Sequence, residues 1–223
     1  MAKKPVILDT QTLPDTQVLS DGSVLLSHGQ VAGETIAQWT QDWWTWALQT
    51  PAATSPMLDQ TGAFAGVNNT GDMFFIGGSF GGDVVRTFDV PANTPLLVPV
   101  LNNLAFQFTG KGPDPATGGK GAANIVTTDW LKSVSDVFLN IDGHPVGNLQ
   151  ADLVRTDWFS PGVVQPGSLA DSFGLTGDLG PAKSIGYWTA IEGFAAGSTH
   201  VLDFGGTAGG VSVHITDTIK VGM

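Results

Sequence analysis

Near the C-terminus the chain alternates strictly: Val211, Val213, Ile215, Ile219 and Val221 fall on one side, and Ser212, His214, Thr216, Thr218 and Lys220 on the other. A period of two places successive side chains on opposite faces of a strand, so this stretch predicts a sheet with one buried and one wet face. Only Asp217 breaks the apolar side. Strands are also predicted over Gln17–Leu19, Ser23–Ser27, Met73–Ile76, Val84–Val90, Pro95–Leu101, Leu104–Phe108, Val137–Ile141 and Pro145–Leu149, and near Ala151–Trp158, Ile185–Ile191 and Thr199–Phe204. Asp21-Gly22 and Asp142-Gly143 read as hairpin turns, because glycine tolerates a positive φ. The run Gly77–Gly82 reads as a glycine-rich hairpin connection, and Gly110–Gly121 as a flexible loop.

One helix stands out, over about Thr35 to Gln49. Ile36, Trp39, Trp43 and Trp46 recur at helical spacing, and Thr50-Pro51 ends the pattern. A short helical turn is predicted near Asp129–Ser133. About ten strands and one Trp-rich helix point to an all-β fold, a two-sheet sandwich or jelly roll. The chain reads as a single domain over 1–223, with 1–27 an N-terminal extended or strand segment. The forms IGGSFGGD and FGGTAGGV share a spacing that would suit two related sandwich halves.

Composition agrees. The 30 Gly and 13 Pro suit many turns, and 42% hydrophobic residues suffice for a large core. The net charge of −11, with 9 Lys and Arg, argues against nucleic acid as a partner. No apolar run is long enough for a transmembrane segment, and no signal peptide is visible at the N-terminus. The absence of Cys excludes disulfides, thiolate metal sites and a Cys nucleophile. Nearly all the acids are Asp, so Asp-rich loops are a candidate Ca²⁺ set; otherwise no cofactor is expected.

Catalytic signatures are missing from the linear sequence. His28, His144, His200 and His214 form no metal-ligand spacing, and no GxSxG elbow or phosphate loop occurs. A Ser–His–Asp set or an Asp pair could arise only through folding. In the Trp stripe, Trp39, Trp43 and Trp46 read as core packing. Trp44 falls off the stripe and is the better ligand or subunit contact, with Trp130 and Trp158 as further stacking platforms. Arg86 shares a face with Val84, Phe88 and Val90, so its guanidinium needs a buried partner, and Asp217 is the simplest one.

Several pieces, taken together, resemble a group of uncharacterised bacterial exported proteins. They are Gln38-Trp39, Trp43-Trp44-Thr45-Trp46-Ala47-Leu48, Pro51, Asp59-Gln60-Thr61-Gly62, Phe74-Phe75-Ile76-Gly77-Gly78, Arg86-Thr87-Phe88-Asp89-Val90-Pro91, Ile141-Asp142-Gly143 and Ala196-Gly197-Ser198-Thr199-His200. Members of that group carry a signal peptide, and cysteines near the positions of Phe64 and Phe88. This chain departs on both counts. The resemblance implies export, and a core contact between Phe64 and Phe88 where the cysteines would stand.

The reading that follows is a non-enzymatic extracellular or cell-surface structural protein. It would self-associate through β-strand edges into a homo-oligomer or filament, with Lys3–Ser27 as a strand donor. The alternatives are a carbohydrate-binding module that holds a glycan on exposed Trp residues, and a hydrolase with a fold-assembled site.

Overall fold

The computed structural model describes residues 16–18, 24–26, 29–106 and 120–223. The segment 1–15, the Asp21-Gly22 turn, His28 and most of the loop predicted over Gly110–Gly121 lie outside the described residues, so the strand-donor expectation for Lys3–Ser27 falls largely there.

The strands are β1 (Thr16–Val18), β2 (Val24–Leu26), β3 (Gln30–Val31), β4 (Glu34–Thr35), β5 (Phe74–Phe75), β6 (Gly82–Val90), β7 (Leu96–Phe106), β8 (Ser135–Ile141), β9 (His144–Pro145), β10 (Leu153–Arg155), β11 (Ala182–Ile191), β12 (Thr199–Ala208) and β13 (Val211–Val221). The helices are α1 (Ile36–Gln49), α2 (Lys120–Lys132) and the short α3 (Leu169–Ser172). One sheet runs β1-β2-β11-β7-β5, with β10 also beside β11, and the other runs β6-β13-β12-β8-β9. The fold is an all-β sandwich carrying one Trp-rich helix.

The core has two parts. Between the sheets pack Leu96, Val98, Val100, Tyr187 and Ile191 against Val84, Phe88, Leu139, Leu202, Phe204, Ile215 and Ile219. On the outer side of the six-stranded sheet, α1 lays Trp43, Trp44, Ala47 and Leu48 over Leu97, Trp188 and Ala190. β7 and β11 are therefore covered on both faces, which is why Leu96–Leu101 reads as a continuous apolar run rather than an alternation. By contrast β6 shows clean alternation from Val84 to Val90, because its outer face meets solvent.

Helix α1 begins where expected. Thr35 caps it: its hydroxyl accepts the Gln38 N–H, and Gln38 Oε1 accepts the Thr35 N–H in return. The preceding β3–β4 hairpin, turning through Ala32 and Gly33 at positive φ, presents Thr35 in the extended geometry a cap needs.

Four sequence expectations change. The Gly77–Gly82 run is not a hairpin: β5 pairs parallel with β7, β6 pairs parallel with β13, and the run crosses from one sheet to the other. Its glycines serve close approach, because a Cβ on Gly77 would lie 2.9 Å from both Arg86 Nη1 and the Pro56 carbonyl oxygen. The second glycine run instead finishes β12 and turns into β13, so the two runs are not equivalent. The strands predicted over Pro95–Leu101 and Leu104–Phe108 are one strand, β7, across the described residues Leu96–Phe106, since Asn102 and Asn103 stay in register with Gly186 and Ile185. The turn near Asp129–Ser133 is the end of α2, whose Trp130 and Leu131 pack against the sandwich core.

Candidate functional site

The four tryptophans of α1 are all buried. Each indole N–H is satisfied: Trp39 donates to the Val31 carbonyl at 2.7 Å, Trp43 to Ile76 at 2.8 Å, Trp44 to Ser184 Oγ at 2.9 Å and Trp46 to Val67 at 2.9 Å. Trp44 is thus no surface contact. It stands edge-on to Trp43 with ring centroids 4.9 Å apart, and helical periodicity failed to place it because α1 is covered over more than one stripe. Trp130 is half-buried against the core. Trp158 is half-buried as well, with Lys183 Nζ 5.5 Å from its ring centre.

Arg86 and Asp217 meet across the parallel β6–β13 ladder, directly opposite in register. Arg86 Nε and Nη2 donate to the two Asp217 carboxylate oxygens, each at 2.7 Å, while Nη2 also donates to the Gly77 carbonyl at 2.6 Å and Nη1 to Pro56 at 3.3 Å. Burial pushes the Asp217 carboxyl up, and the guanidinium opposes that shift. Close by, burial alone would also raise Asp59. The N–H groups of Phe64, Thr61 and Gly62 and the Thr61 hydroxyl outweigh it and hold this carboxyl below its ordinary range. The cluster ties β6, β13, the crossover and the 55–64 loop together, and it is structural.

Phe64 and Phe88 do not form the expected contact. Phe88 stacks on Phe74, centroids 6.2 Å apart, while Phe64 is half-buried and belongs to neither core cluster. The Asp59 carboxylate fixes the loop through the Phe64 backbone N–H, so the ring is not needed for that task.

Folding does assemble a Ser–His–Asp set that no linear motif announces. His200 Nδ1 lies 2.8 Å from Asp142 Oδ2, and Nε2 lies 2.9 Å from Ser198 Oγ. Those spacings match a nucleophile–base–acid relay. The donors are arranged differently. The Ser198 hydroxyl also donates to the Ala195 carbonyl at 2.6 Å, so a second acceptor competes with the imidazole for its single proton. Asp142 Oδ1 accepts the Val201 N–H at 2.8 Å, and the His200 ring stacks flat on Phe194 at 3.7 Å. The set brackets the β8–β9 turn to the start of β12. Its sequence signal was present in the separated Asp142-Gly143 and Ser198-Thr199-His200, but only the sheet order brings them together.

His214 lies on the wet face of the five-stranded sheet, 2.7 Å from Asp203. His144 is exposed on β9. Among the described residues no group of three or more His, Asp or Glu is placed to hold a metal ion, and no helix is long and apolar enough to cross a membrane.

Two surface features remain. β6 is an edge strand, and Thr87 N–H is its edge-side donor already satisfied, by the Thr61 carbonyl at 3.0 Å. In a parallel ladder alternate residues point their amides to the same side, so Asp83 and Val85 present theirs to the same open edge. Val85 is 69% exposed. Just before β6, Phe80 (50% exposed) meets Phe173 (43% exposed) edge-on at 5.2 Å, and a Cβ on Gly81 would touch Val211, another exposed apolar residue. The second feature is a groove beside α1, lined by Asp42, Thr45, Trp46, Gln49, Thr50 and Asn68.

No protein family, curated protein or solved structure matches the chain.

Proposed function

We propose that the protein is a non-enzymatic structural component of the cell exterior, assembling into a homo-oligomer by strand addition at the open edge of β6. One observation carries this reading: the Gly82–Val85 half of an edge strand lies uncovered among the described residues, directly beside the exposed Phe80–Phe173 pair. Backbone amides at such an edge supply affinity without sequence demands, and the neighbouring rings supply apolar area to bury. The occupant is the same edge of a second copy, since two such strands can pair antiparallel about a two-fold axis. Export is supported by the resemblance to exported proteins.

Sedimentation velocity across a wide concentration range tests the proposal. Wild type is expected to pass from monomer to dimer as concentration rises. Val85→Lys, which sets a charge on each facing strand, is expected to stay monomeric with unchanged melting. A wild type that remains monomeric at every concentration, with and without Ca²⁺, overturns it.

A further inference from the structure

The groove beside α1 has a volume of about 330 Å³ and an unusual balance of polar groups. The Thr45 hydroxyl donates to the Gln41 carbonyl at 3.0 Å and the Thr50 hydroxyl to Trp46 at 2.7 Å, so both oxygens remain only as acceptors. Gln49 Nε2 donates to the Pro161 carbonyl at 2.8 Å. That bond fixes the amide orientation and leaves Oε1 buried without a partner. Asp42 adds a carboxylate, and Trp46 adds an apolar wall. Asn68, held at φ 53°, is the lining residue with an uncommitted N–H₂. A site rich in acceptors and poor in donors suits a ligand that only donates.

We propose that this groove binds an organic cation, an alkylammonium or guanidinium group carried on an aliphatic stem. Asp42 would take the charge, the Thr45 hydroxyl oxygen a remaining N–H, and Trp46 the stem. A sugar fits less well, because each of its hydroxyls and its ring oxygen also seeks a donor. The site's electrostatics agree. Burial raises the Asp42 carboxyl, against a hydrogen bond with Glu34 that lowers it, so an arriving cation relieves the cost of a charge held partly out of water. The protein's net charge of −11 also draws cations toward it.

Calorimetric titration of the full chain at low ionic strength tests the assignment, using spermidine and N-acetylargininamide as separate probes and N-acetylcitrullinamide as the neutral isostere of the second. Saturable one-to-one binding of at least one cation is expected, and which cation binds tells a polyamine-type from an arginine-type ligand. Asp42→Asn should weaken it about ten-fold or more, the scale of one lost charge-assisted hydrogen bond. Thr45→Val should weaken it less, and Asp89→Asn, on the far sheet, should leave it unchanged. Binding should also release protons in mildly acidic buffer, so the heat should vary with the buffer's ionisation enthalpy. Equal binding of N-acetylcitrullinamide, equal weakening by Asp89→Asn, or no saturable heat with either cation overturns the proposal. Self-association stands or falls separately, since none of these residues touches β6.

Discussion

Arg86 makes a residue-scale argument testable. Truncating it leaves Asp217 buried with no cation and takes a donor from the Gly77 and Pro56 carbonyls. Arg86→Ala is therefore expected to cost about 3–5 kcal/mol, read as a lowered urea midpoint at constant slope. Replacing both partners, Arg86→Met with Asp217→Leu, should recover most of the loss, because the damage is an unpaired charge rather than missing volume. The Glu34–Asp42 pair predicts a pH effect of definite sign. Both carboxyls are raised above their ordinary 4.5 and 3.8, so the folded chain binds protons more tightly than the unfolded one. Their contribution favours folding at low pH and is lost as pH rises through the raised values. Glu34→Gln removes the repulsion, so it should raise the melting temperature at pH 7 and leave it nearly unchanged near pH 3. An equal gain at both pH values would show that charge is not the cause. The Arg86–Asp217 pairing was legible beforehand, because each residue sits at an apolar position of an alternating strand. Phe64 was not, because nothing in the sequence says that Asp59 secures that loop through its backbone.

At the scale of elements, legibility followed burial geometry. β13 and α1 each carry a period that matches their structure, and both appear with nearly the expected bounds. β7 and β11 have apolar neighbours on both faces, so they carry no period, and the break at Asn102-Asn103 had no physical counterpart. The glycine crossover misled for a related reason. Glycine marks close approach as often as it marks a turn, and only the packed Arg86 side chain distinguishes the two. The Ser198–His200–Asp142 bracket belongs to this scale as well, since it joins the β8–β9 turn, with Asp142 and Gly143 both at positive φ, to the first residues of β12. Asp142→Ala strips an acceptor from both His200 and the Val201 amide, so it should destabilise more than Ser198→Ala, which removes a half-exposed hydroxyl. Denaturant midpoints give the ranking. Wild type should also resist a fluorophosphonate probe, because the Ala195 carbonyl at 2.6 Å competes with the imidazole for the Ser198 proton. Stoichiometric labelling of Ser198 would instead establish the hydrolase reading.

For the whole molecule, charge and shape act in opposite directions on assembly. Every copy carries −11, and the open β6 edge itself holds Asp83, with Asp89 further along the strand, so two copies approaching edge to edge repel each other over roughly a Debye length. The attraction at contact is of another kind: backbone hydrogen bonds along Gly82–Val85 and burial of Phe80, Phe173 and Val85, none of which salt screens. Raising NaCl from about 10 mM, where the Debye length is about 30 Å, to about 1 M, where it is about 3 Å, should therefore strengthen association rather than dissolve it. An interface built on ion pairs would respond the opposite way. Phe80→Ser combined with Phe173→Ser should weaken association at both salt concentrations without altering its salt dependence, since it removes apolar area and no charge. Asp83→Asn should strengthen association chiefly at low salt, where repulsion is unscreened. Sedimentation velocity on the three proteins at the two salt concentrations separates these terms, and association that weakens with salt in wild type would place the contact somewhere other than the β6 edge.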